Sequence, residues 1–222
     1  MSHRAFKNRL YPQFARVGGA LASEKRLELL DLLAQAPRHV EALAQETEMS
    51  VANVSQHLQI LRNARLVETE RDGTRVCYRL ASDQVLTLWL TLRSVAESRL
   101  PDIAHIVREF EVAQTDEPPV TRDGVEQLLA RGETLLLDVR PTLEYESGHL
   151  PEAVSIPADE LADRLDELPR DTPIIAYCRG TYCLFADEAV ALLHEHGFKA
   201  FRLEGGWPEW RAEQRATAAP GS

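Results

Sequence analysis

The chain has 222 residues, of which 44% are hydrophobic and 27% charged, a composition that excludes a disordered protein and allows two ordinary domains. It contains no run of about 18 apolar residues, so nothing in it should span a membrane, and we expect no membrane partner. Its three cysteines, an odd number, do not suit the disulfide framework of an exported domain, so we expect a cytoplasmic protein.

The net charge of −10 is divided unevenly along the chain. Residues 1–115 carry a net charge of +1, whereas residues 116–222 carry −11. Such asymmetry between the halves of a chain indicates two domains with different partners. A near-neutral first half is weak evidence for nucleic-acid binding, so that case depends on where its basic side chains lie.

A polar segment at residues 111–120, which contains two adjacent prolines, separates the two halves. Proline has no backbone donor and disfavours helix in the residue before it, which favours a linker here. We therefore predict one domain at residues 1–114, a linker at residues 115–120 and a second domain at residues 121–215.

Apolar periodicity predicts helices through most of the first half. Ser23 is an N-cap candidate for a helix with a wide apolar face at residues 27–33. A shorter helix is expected around residues 40–44, and Ser50 caps a third helix over residues 51–61.

A β-hairpin is predicted after these helices. Its strands lie at residues 66–70 and 75–80, joined by Arg-Asp-Gly-Thr, in which Asp-Gly is a strong hairpin signal. A long helical stretch at residues 82–112 follows, and Pro101 divides it because proline is tolerated only in the first turn of a new helix. Helix, turn, helix and hairpin in this order indicate a winged helix-turn-helix.

The helix that Ser50 opens has the features of a DNA-reading helix. Four of its apolar side chains are predicted to face the core: Val51, Val54, Leu58 and Leu61. Its other faces carry the candidate DNA-contacting residues Asn53, Ser55, Gln56, His57 and Gln59. Asparagine and glutamine can bind adenine with two hydrogen bonds, and serine can reach bases or phosphates. For His57, an orienting or phosphate contact and an ordinary surface position are both open.

Basic side chains lie where they can contact phosphates or the minor groove of DNA. Arg62 is near the end of the reading helix, and Arg71 and Arg75 flank the tip of the predicted hairpin. These three arginines complete the candidate DNA-binding set, and double-stranded DNA is the predicted partner.

One segment resembles a known family closely. Residues 54–67 read Val-Ser-Gln-His-Leu-Gln-Ile-Leu-Arg-Asn-Ala-Arg-Leu-Val, and the Arg-Asp-Gly-Thr-Arg wing and Tyr-Arg-Leu at residues 78–80 follow. This string resembles the ArsR family of dimeric repressors, and the resemblance covers roughly residues 10–112. It implies a homodimer, built mainly from the first and last helices, that binds a palindromic operator.

Metal-sensing ArsR proteins carry cysteine pairs before the reading helix, or sets of His, Asp and Glu on the last helix. This sequence departs from that pattern, since residues 40–45 contain no cysteine and His105 lacks a second histidine at ligand spacing. Cys77 has no neighbouring thiol in the sequence, and we expect a half-buried structural cysteine. We therefore expect no metal in this domain.

Short apolar runs alternate with helical stretches in the second half of the chain. The predicted strands are residues 134–139, 173–177 and 200–203. The predicted helices are residues 124–131, 158–167 and 184–196, the last ended by Gly197. Continuous apolar runs are typical of strands buried on both faces, so the alternation predicts an α/β domain with a mostly parallel sheet. The predicted fold class is α/β overall, with a mainly α winged helix-turn-helix before this domain.

Cys178 lies where a predicted strand meets a predicted helix. A cysteine at this junction faces loop N–H groups and the positive end of the helix, and Arg179 adds positive charge. These effects favour the thiolate, which is the nucleophilic form, and the same N–H groups would stabilise a persulfide. We therefore predict Cys178 as the catalytic residue and Arg179, Gly180, Thr181 and Tyr182 as its active-site loop.

Other segments of this half resemble rhodaneses. They are Leu-Asp-Val-Arg at residues 137–140, Glu-Tyr-Glu-Ser-Gly-His-Leu-Pro-Glu-Ala-Val-Ser-Ile-Pro at residues 144–157, and Leu-Glu-Gly-Gly-Trp-Pro-Glu-Trp at residues 203–210. The resemblance covers about residues 118–213 and implies sulfur chemistry at the loop cysteine. Within these motifs we expect four side chains to bind one another and the loops around the site in a structural role: Asp138, Arg140, Glu144 and His149.

The loop from Cys178 to Cys183 spans six residues, a size that in rhodaneses goes with sulfur substrates. Cys183 occupies a position that is often basic in sulfurtransferases, and the missing cation puts simple thiosulfate turnover in doubt. Three interpretations of Cys183 stay open: a resolving thiol that forms a disulfide or polysulfide bridge with Cys178, a buried bystander, or part of a metal or arsenite thiolate site. Two thiols are too few for structural zinc, which needs four ligands.

Two functions of different classes follow from these patterns. The first is a transcriptional regulator whose rhodanese domain senses or carries sulfane sulfur as a persulfide on Cys178. The second is a sulfurtransferase, or an enzyme that handles arsenate or arsenite, with an attached DNA-binding domain. We expect no cofactor or bound metal, and a partner that is a sulfane-sulfur donor or another thiol-reactive small molecule.

Overall fold

The computed structural model describes residues 2–73, 75–110 and 118–218. The chain divides into two compact units, Met1–Leu92 and Arg93–Ser222. Their boundary lies inside helix α5 (Asp83–Arg99), so the last turns of α5 belong to the second unit. Residues 115–117 of the predicted linker lie outside the described residues.

The first unit is mainly helical, as predicted. Its elements are α1 (His3–Leu21), α2 (Glu24–Gln35), β1 (Arg38–His39), α3 (Val40–Glu46), α4 (Val51–Asn63), β2 (Val67–Asp72), β3 (Arg75–Leu80) and the start of α5. The sheet is antiparallel in the order β1-β3-β2, and Asp72 pairs with Arg75 at the hairpin tip. The predicted first strand ends at residue 70, but β2 continues to Asp72, so Asp72 belongs to the ladder and not to the turn. Gly73 adopts a φ of +60°, which glycine reaches without steric cost. Thr74 lies outside the described residues.

The first core forms where α2, α3 and α4 meet. Its completely buried leucines include Leu29, Leu30, Leu43, Leu58 and Leu61. The prediction for Val51 is wrong, because this side chain is 45% exposed. Val51 is the first residue of α4, and helical side chains tilt toward the N-terminus, so a side chain there projects past the helix end.

The second unit is an α/β domain. After α5 it contains α6 (Pro101–Phe110), α7 (Arg122–Ala130), β4 (Leu135–Asp138), α8 (Thr142–Ser147), β5 (Val154–Ser155), a 3₁₀ helix (Leu161–Glu167), β6 (Ile174–Cys178), α9 (Phe185–Glu195), β7 (Ala200–Gly206) and α10 (Trp207–Ala218). The strands pair in parallel in the order β5-β4-β6-β7. The predicted fold class is therefore confirmed.

Both faces of this sheet are covered, so β4 and β6 are buried. On one face Val190 and Leu193 of α9 pack with Leu161 of the 3₁₀ helix. On the other face Val125 of α7 packs with Trp210 of α10. Continuous apolar strands are the sequence mark of such two-sided burial.

A few short elements differ from the predictions. The helix predicted at residues 158–167 is a 3₁₀ helix over Leu161–Glu167. Its segment is confined between Pro157 and Pro169, and proline denies the preceding residue a helical conformation, which suits the short 3₁₀ form. The two-residue strands β1 and β5 are too short to show any periodicity. Among the described residues, no helix has the length and apolar character needed to cross a bilayer.

Candidate functional site

Helix α4 has one buried apolar face and one exposed polar face. Ser50 caps the helix by accepting a hydrogen bond from the Asn53 N–H at 3.2 Å, while Val54, Leu58 and Leu61 are buried. The candidate DNA-contacting side chains on α4, apart from that of His57, are exposed: Asn53, Ser55, Gln56, Gln59 and Arg62. A buried stripe opposite a polar face places these groups at the surface, where the edges of bases could reach them.

His57 differs from its neighbours because it is half-buried. Its Nδ1 atom is buried and has no hydrogen-bond partner among the described residues. The imidazole therefore belongs partly to the packed side of α4. Whether His57 makes an orienting or phosphate contact or is an ordinary surface residue stays a prediction from the sequence.

The hairpin supplies two exposed arginines at its tip. Arg71 on β2 and Arg75 on β3 lie on either side of Gly73. The turn brings their backbones together at the end of the ladder, where Asp72 pairs with Arg75. This is the position from which a wing can reach phosphates or the minor groove.

A second candidate site lies at the carboxyl end of β6, in the loop between Cys178 and α9. Cys178 is 1% exposed and Cys183 is half-buried. The two cysteines are joined as a disulfide, and their Cα atoms are 6.4 Å apart. The sulfur of Cys178 also lies 3.5 Å from the main-chain oxygen of Cys183. Parallel sheets place ligand sites at this end of their strands.

Close packing beneath the loop depends on two glycines. A Cβ atom on Gly206 would overlap the Cys178 carbonyl oxygen and lie 2.5 Å from the Gly180 nitrogen. Gly180 has a φ of +149°, which side-chain-bearing residues rarely adopt. Glu209 completes this base, since its carboxylate accepts a hydrogen bond from the Gly206 N–H at 3.0 Å.

Arg179 is bound to a buried carboxylate. Its Nε donates to Glu144 Oε1 at 2.8 Å, and the Glu144 side chain is completely buried. The sequence predicts that Arg179 favours a thiolate on Cys178, but much of its charge is balanced by Glu144. The loop amides and the start of α9 are then the principal groups that could stabilise an anionic sulfur.

The last turns of α5 contact the loop. The Tyr182 hydroxyl donates to Glu97 Oε1 at 2.7 Å, and Arg93 forms ion pairs with both Glu97 and Glu209. The Arg93 guanidinium also lies 5.9 Å from the centre of the Tyr182 ring. Burial and the bond to Glu97 raise the pKa of Tyr182 to about 12, so its hydroxyl stays a donor near neutral pH.

A further arginine, Arg202, binds the main chain of the loop. Arg202 on β7 donates to the Thr181 carbonyl oxygen at 2.7 Å and forms an ion pair with Asp187 at 3.2 Å. Sequence reasoning missed Arg93, Glu97 and Arg202, because they lie up to 85 residues from the loop and carry no local signal. Glu209 lies within the rhodanese-like motif at residues 203–210, and that motif was its only signal in the sequence.

A buried network supports the strand ends below the loop. Arg140 and Asp138, both completely buried, form an ion pair at 2.6 Å, and the Tyr177 hydroxyl donates to Asp138 at 2.5 Å. Burial, together with the charge and hydrogen bond of Asp138, raises the pKa of Tyr177 well above its usual range. Arg140 also donates to the Gly148 carbonyl oxygen at 2.8 Å, which ties the strand to the next loop.

The four residues expected to form this network divide into three groups. Asp138 and Arg140 bind each other, whereas Glu144 binds Arg179. His149 is exposed and stacks on Tyr145, with ring centres 3.9 Å apart. Within the described part of the chain, no three His, Cys, Asp or Glu side chains cluster as metal ligands. Cys77 is half-buried, as expected.

Comparison with known proteins defines the class. The bacterial regulatory protein family arsR matches residues 23–69, and the rhodanese-like domain family matches residues 121–213. The protein therefore joins an ArsR-family winged helix-turn-helix DNA-binding domain to a C-terminal rhodanese domain. It is 45% identical over 205 residues to the HTH-type transcriptional regulator Rv0324 of Mycobacterium tuberculosis, with 92% of this chain and 90% of the relative covered. The chain belongs to this family of transcriptional regulators.

Other relatives match one half of the chain. The homodimeric winged helix-turn-helix DNA-binding domain of Mb0332 from Mycobacterium bovis is 46% identical, with 45% of this chain and 91% of that chain covered and a TM-score of 0.42. A tRNA uridine(34) hydroxylase of Pectobacterium atrosepticum is 32% identical over 106 residues. That match covers 44% of this chain and 29% of the length of the relative.

Proposed function

We propose that this transcriptional regulator senses sulfane sulfur, which forms a persulfide on Cys178 and then a bridge to Cys183, and that the change alters operator binding. The observation that carries the proposal is that Cys178 and Cys183 lie within bonding distance in one loop, and that this loop is hydrogen-bonded to α5 through Tyr182. A nucleophilic cysteine with a second thiol in reach is the usual arrangement of a thiol sensor. Because Cys178 and Cys183 have Cα atoms 6.4 Å apart, one inserted sulfur atom also fits the span between them.

Helix α5 offers a route for the signal. It begins at Asp83 in the first unit and ends at Arg99 in the second, where Glu97 accepts the hydrogen bond from Tyr182. Tyr182 directly precedes Cys183, so a bridge to Cys183 constrains the residue that holds α5. We propose that bridging changes the Tyr182–Glu97 contact and that the strain is carried along α5.

We further propose a homodimer that binds a palindromic operator, as the ArsR resemblance implies. The helices assigned to the dimer interface carry large apolar side chains that are exposed in the single chain: in the first unit these are Phe6, Tyr11 and Phe14 on α1 and Leu88 on α5. Exposed apolar side chains of this kind are typical of a helix that a partner covers. A change in α5 would then alter how two reading helices are spaced on DNA.

The sensing proposal is tested with mass spectrometry and an operator-binding assay on the full chain. Inorganic polysulfide should bridge Cys178 and Cys183 in the parent protein, with sulfur inserted, and should change operator affinity. Cys183→Ser should keep a persulfide on Cys178 but abolish both the bridge and the change in affinity. If Cys183→Ser responds in the operator assay as the parent does, then Cys183 is a bystander and the proposal is wrong.

Two tyrosine variants separate sensing from signal transfer. Tyr182→Phe removes the hydroxyl that bonds Glu97, so it should form the bridge normally but change operator affinity much less than the parent. Tyr145→Phe is the matched control, because its hydroxyl donates to the Ala153 carbonyl oxygen and not to α5. An unaltered response in Tyr182→Phe would exclude this hydrogen bond as the route.

Operator binding should also weaken steeply as salt concentration rises. Phosphate contacts by Arg62, Arg71 and Arg75 of both protomers would give a log–log slope of about −5. Replacing Arg71 and Arg75 with glutamine should reduce the slope to about −2, measured by fluorescence anisotropy between about 50 and 200 mM salt. Arg131→Gln, on the second unit and exposed, is the control. An unchanged slope in the double variant would remove the wing from the DNA interface.

A sulfurtransferase is the second candidate function. It is favoured by the match of residues 121–213 to the rhodanese-like domain family, with Cys178 at the end of β6. Sustained turnover of thiosulfate and cyanide by the full chain, abolished in Cys178→Ser, would support an enzyme. Stoichiometric sulfur uptake without turnover would support the sensor.

A further inference from the structure

The charges around the two-cysteine loop are arranged in compensated pairs. Among the described residues, three arginines lie in or against the loop: Arg179 belongs to it, and Arg93 and Arg202 contact it. Each is bound to at least one carboxylate, respectively Glu97 with Glu209, then Glu144, and then Asp187. Four carboxylates therefore balance three guanidinium groups, and the surroundings of the loop do not favour an anionic ligand.

Three large apolar side chains form an exposed rim beside Cys183. Tyr182, Leu184 and Phe185 flank Cys183 in the sequence and are 45%, 42% and 38% exposed. Cys178 is only 1% exposed, and the rim lies within the stretch of chain that begins at Cys178 and opens α9. Apolar surface beside a half-buried thiol suits a donor whose own substituents are apolar, because their association removes both from water.

We propose that the loop takes sulfur from uncharged organic polysulfanes, of the type R–S–S–S–R, in preference to anionic donors such as thiosulfate. This inference rests on the proposed sensing function and names its donor class. The paired arginines offer no excess of positive charge for a dianion, and the rim offers an apolar surface for the alkyl groups.

The reaction balances with the two cysteines and one trisulfide. The Cys178 thiolate attacks the central sulfur of R–S–S–S–R, which forms a Cys178–S–S–S–R chain and releases RS⁻. The Cys183 thiolate then attacks the sulfur atom next to that of Cys178, which breaks the bond to the S–R group and releases a second RS⁻. The product is a Cys178–S–S–S–Cys183 bridge, in which two thiolates have been oxidised and the trisulfide has been reduced to two thiolates.

The test compares donors that share one reactive group and differ in charge. Reduced full-length protein is treated with diethyl trisulfide, which is uncharged, or with bis(2-carboxyethyl) trisulfide, a dianion, and thiosulfate is a third donor. Bridge formation is followed by mass spectrometry with peptide mapping, which separates Cys77 from the loop. Each rate is divided by the rate of the same donor with N-acetylcysteine, which corrects for intrinsic reactivity. We expect the uncharged trisulfide to be favoured by about tenfold or more.

Two variants examine the rim and the charges separately. Phe185→Ser should slow the reaction with diethyl trisulfide, whereas Val154→Ser, which removes an equally exposed apolar side chain (39%) on β5, should not. Glu209→Gln keeps an acceptor for the Gly206 N–H and removes one charge beside Arg93, so it should lower the preference for the uncharged donor.

The outcomes separate the donor class from the sensing function. A dianionic trisulfide that reacts as fast as the uncharged one, after correction, would overturn the donor class while leaving the sensing function intact. If neither trisulfide bridges the two cysteines but inorganic polysulfide does, the donor class is wrong and the sensing function stands. If none of these donors forms the bridge, the proposed sensing function is wrong as well.

Discussion

Replacing Arg140 with methionine should lower the free energy of unfolding of the second unit by about 3–5 kcal/mol, the usual cost of leaving a buried charge without its partner. Asp138 would remain in the core with its carboxylate deprived of a charged donor, since the Arg140 guanidinium donates three hydrogen bonds to it. The Gly148 carbonyl oxygen would lose its bond to Arg140 as well. Urea unfolding of the full chain, followed by tryptophan fluorescence, measures the change.

Two control variants test whether the loss of stability comes from leaving the buried Asp138 charge without its partner. Arg164→Met removes a half-buried surface arginine that pairs with Glu160 and Glu167, and it should change stability far less. The double variant Asp138→Leu/Arg140→Met removes both buried charges and should be less destabilising than Arg140→Met alone. If Arg140→Met and Arg164→Met lowered the free energy of unfolding equally, the buried pair of Asp138 and Arg140 would not have the predicted effect on stability.

Replacing Ser55 and Gln56 together with alanine should weaken operator binding by about 1–3 kcal/mol for each base that the variant no longer binds. Both side chains are exposed on α4, between buried Val54 and Leu58. The Ser55 hydroxyl donates to the Val51 carbonyl oxygen of its own helix, and alanine favours helix, so the fold should survive the change. A duplex selected by the parent protein from a random library provides the operator for a gel-shift titration.

Ser147→Ala is the matched control for this variant. Its hydroxyl makes the same bond to a carbonyl oxygen four residues earlier, that of Leu143, but on α8 of the second unit. We expect unchanged operator affinity for Ser147→Ala and an unchanged circular dichroism spectrum for both variants. Parent-like affinity of the Ser55/Gln56 variant for the selected duplex would show that another surface reads the sequence.

Local patterns were sufficient for the elements and for the position of the candidate catalytic cysteine. Ser50 and Asp72-Gly73 predict the start of α4 and the hairpin from interactions within a few residues, and the structure shows both. Continuous apolar runs predict β4 and β6, because a strand that is covered on both faces has no polar side to present. Local patterns failed for Val51, which is apolar but exposed. Apolar character alone does not reveal that a side chain at the end of a helix has no core to pack against.

The sequence by itself determined the two domain types, the polar face of α4 and the strand-to-helix position of Cys178, because each depends on interactions between near neighbours in the chain. Only the tertiary structure decided that Glu144 neutralises Arg179 and that Glu97 holds Tyr182. These partners are 35 and 85 residues apart, and an ion pair requires only complementary charge at short distance. Many arginines and carboxylates in this chain satisfy that chemistry, so folding alone selects which of them meet.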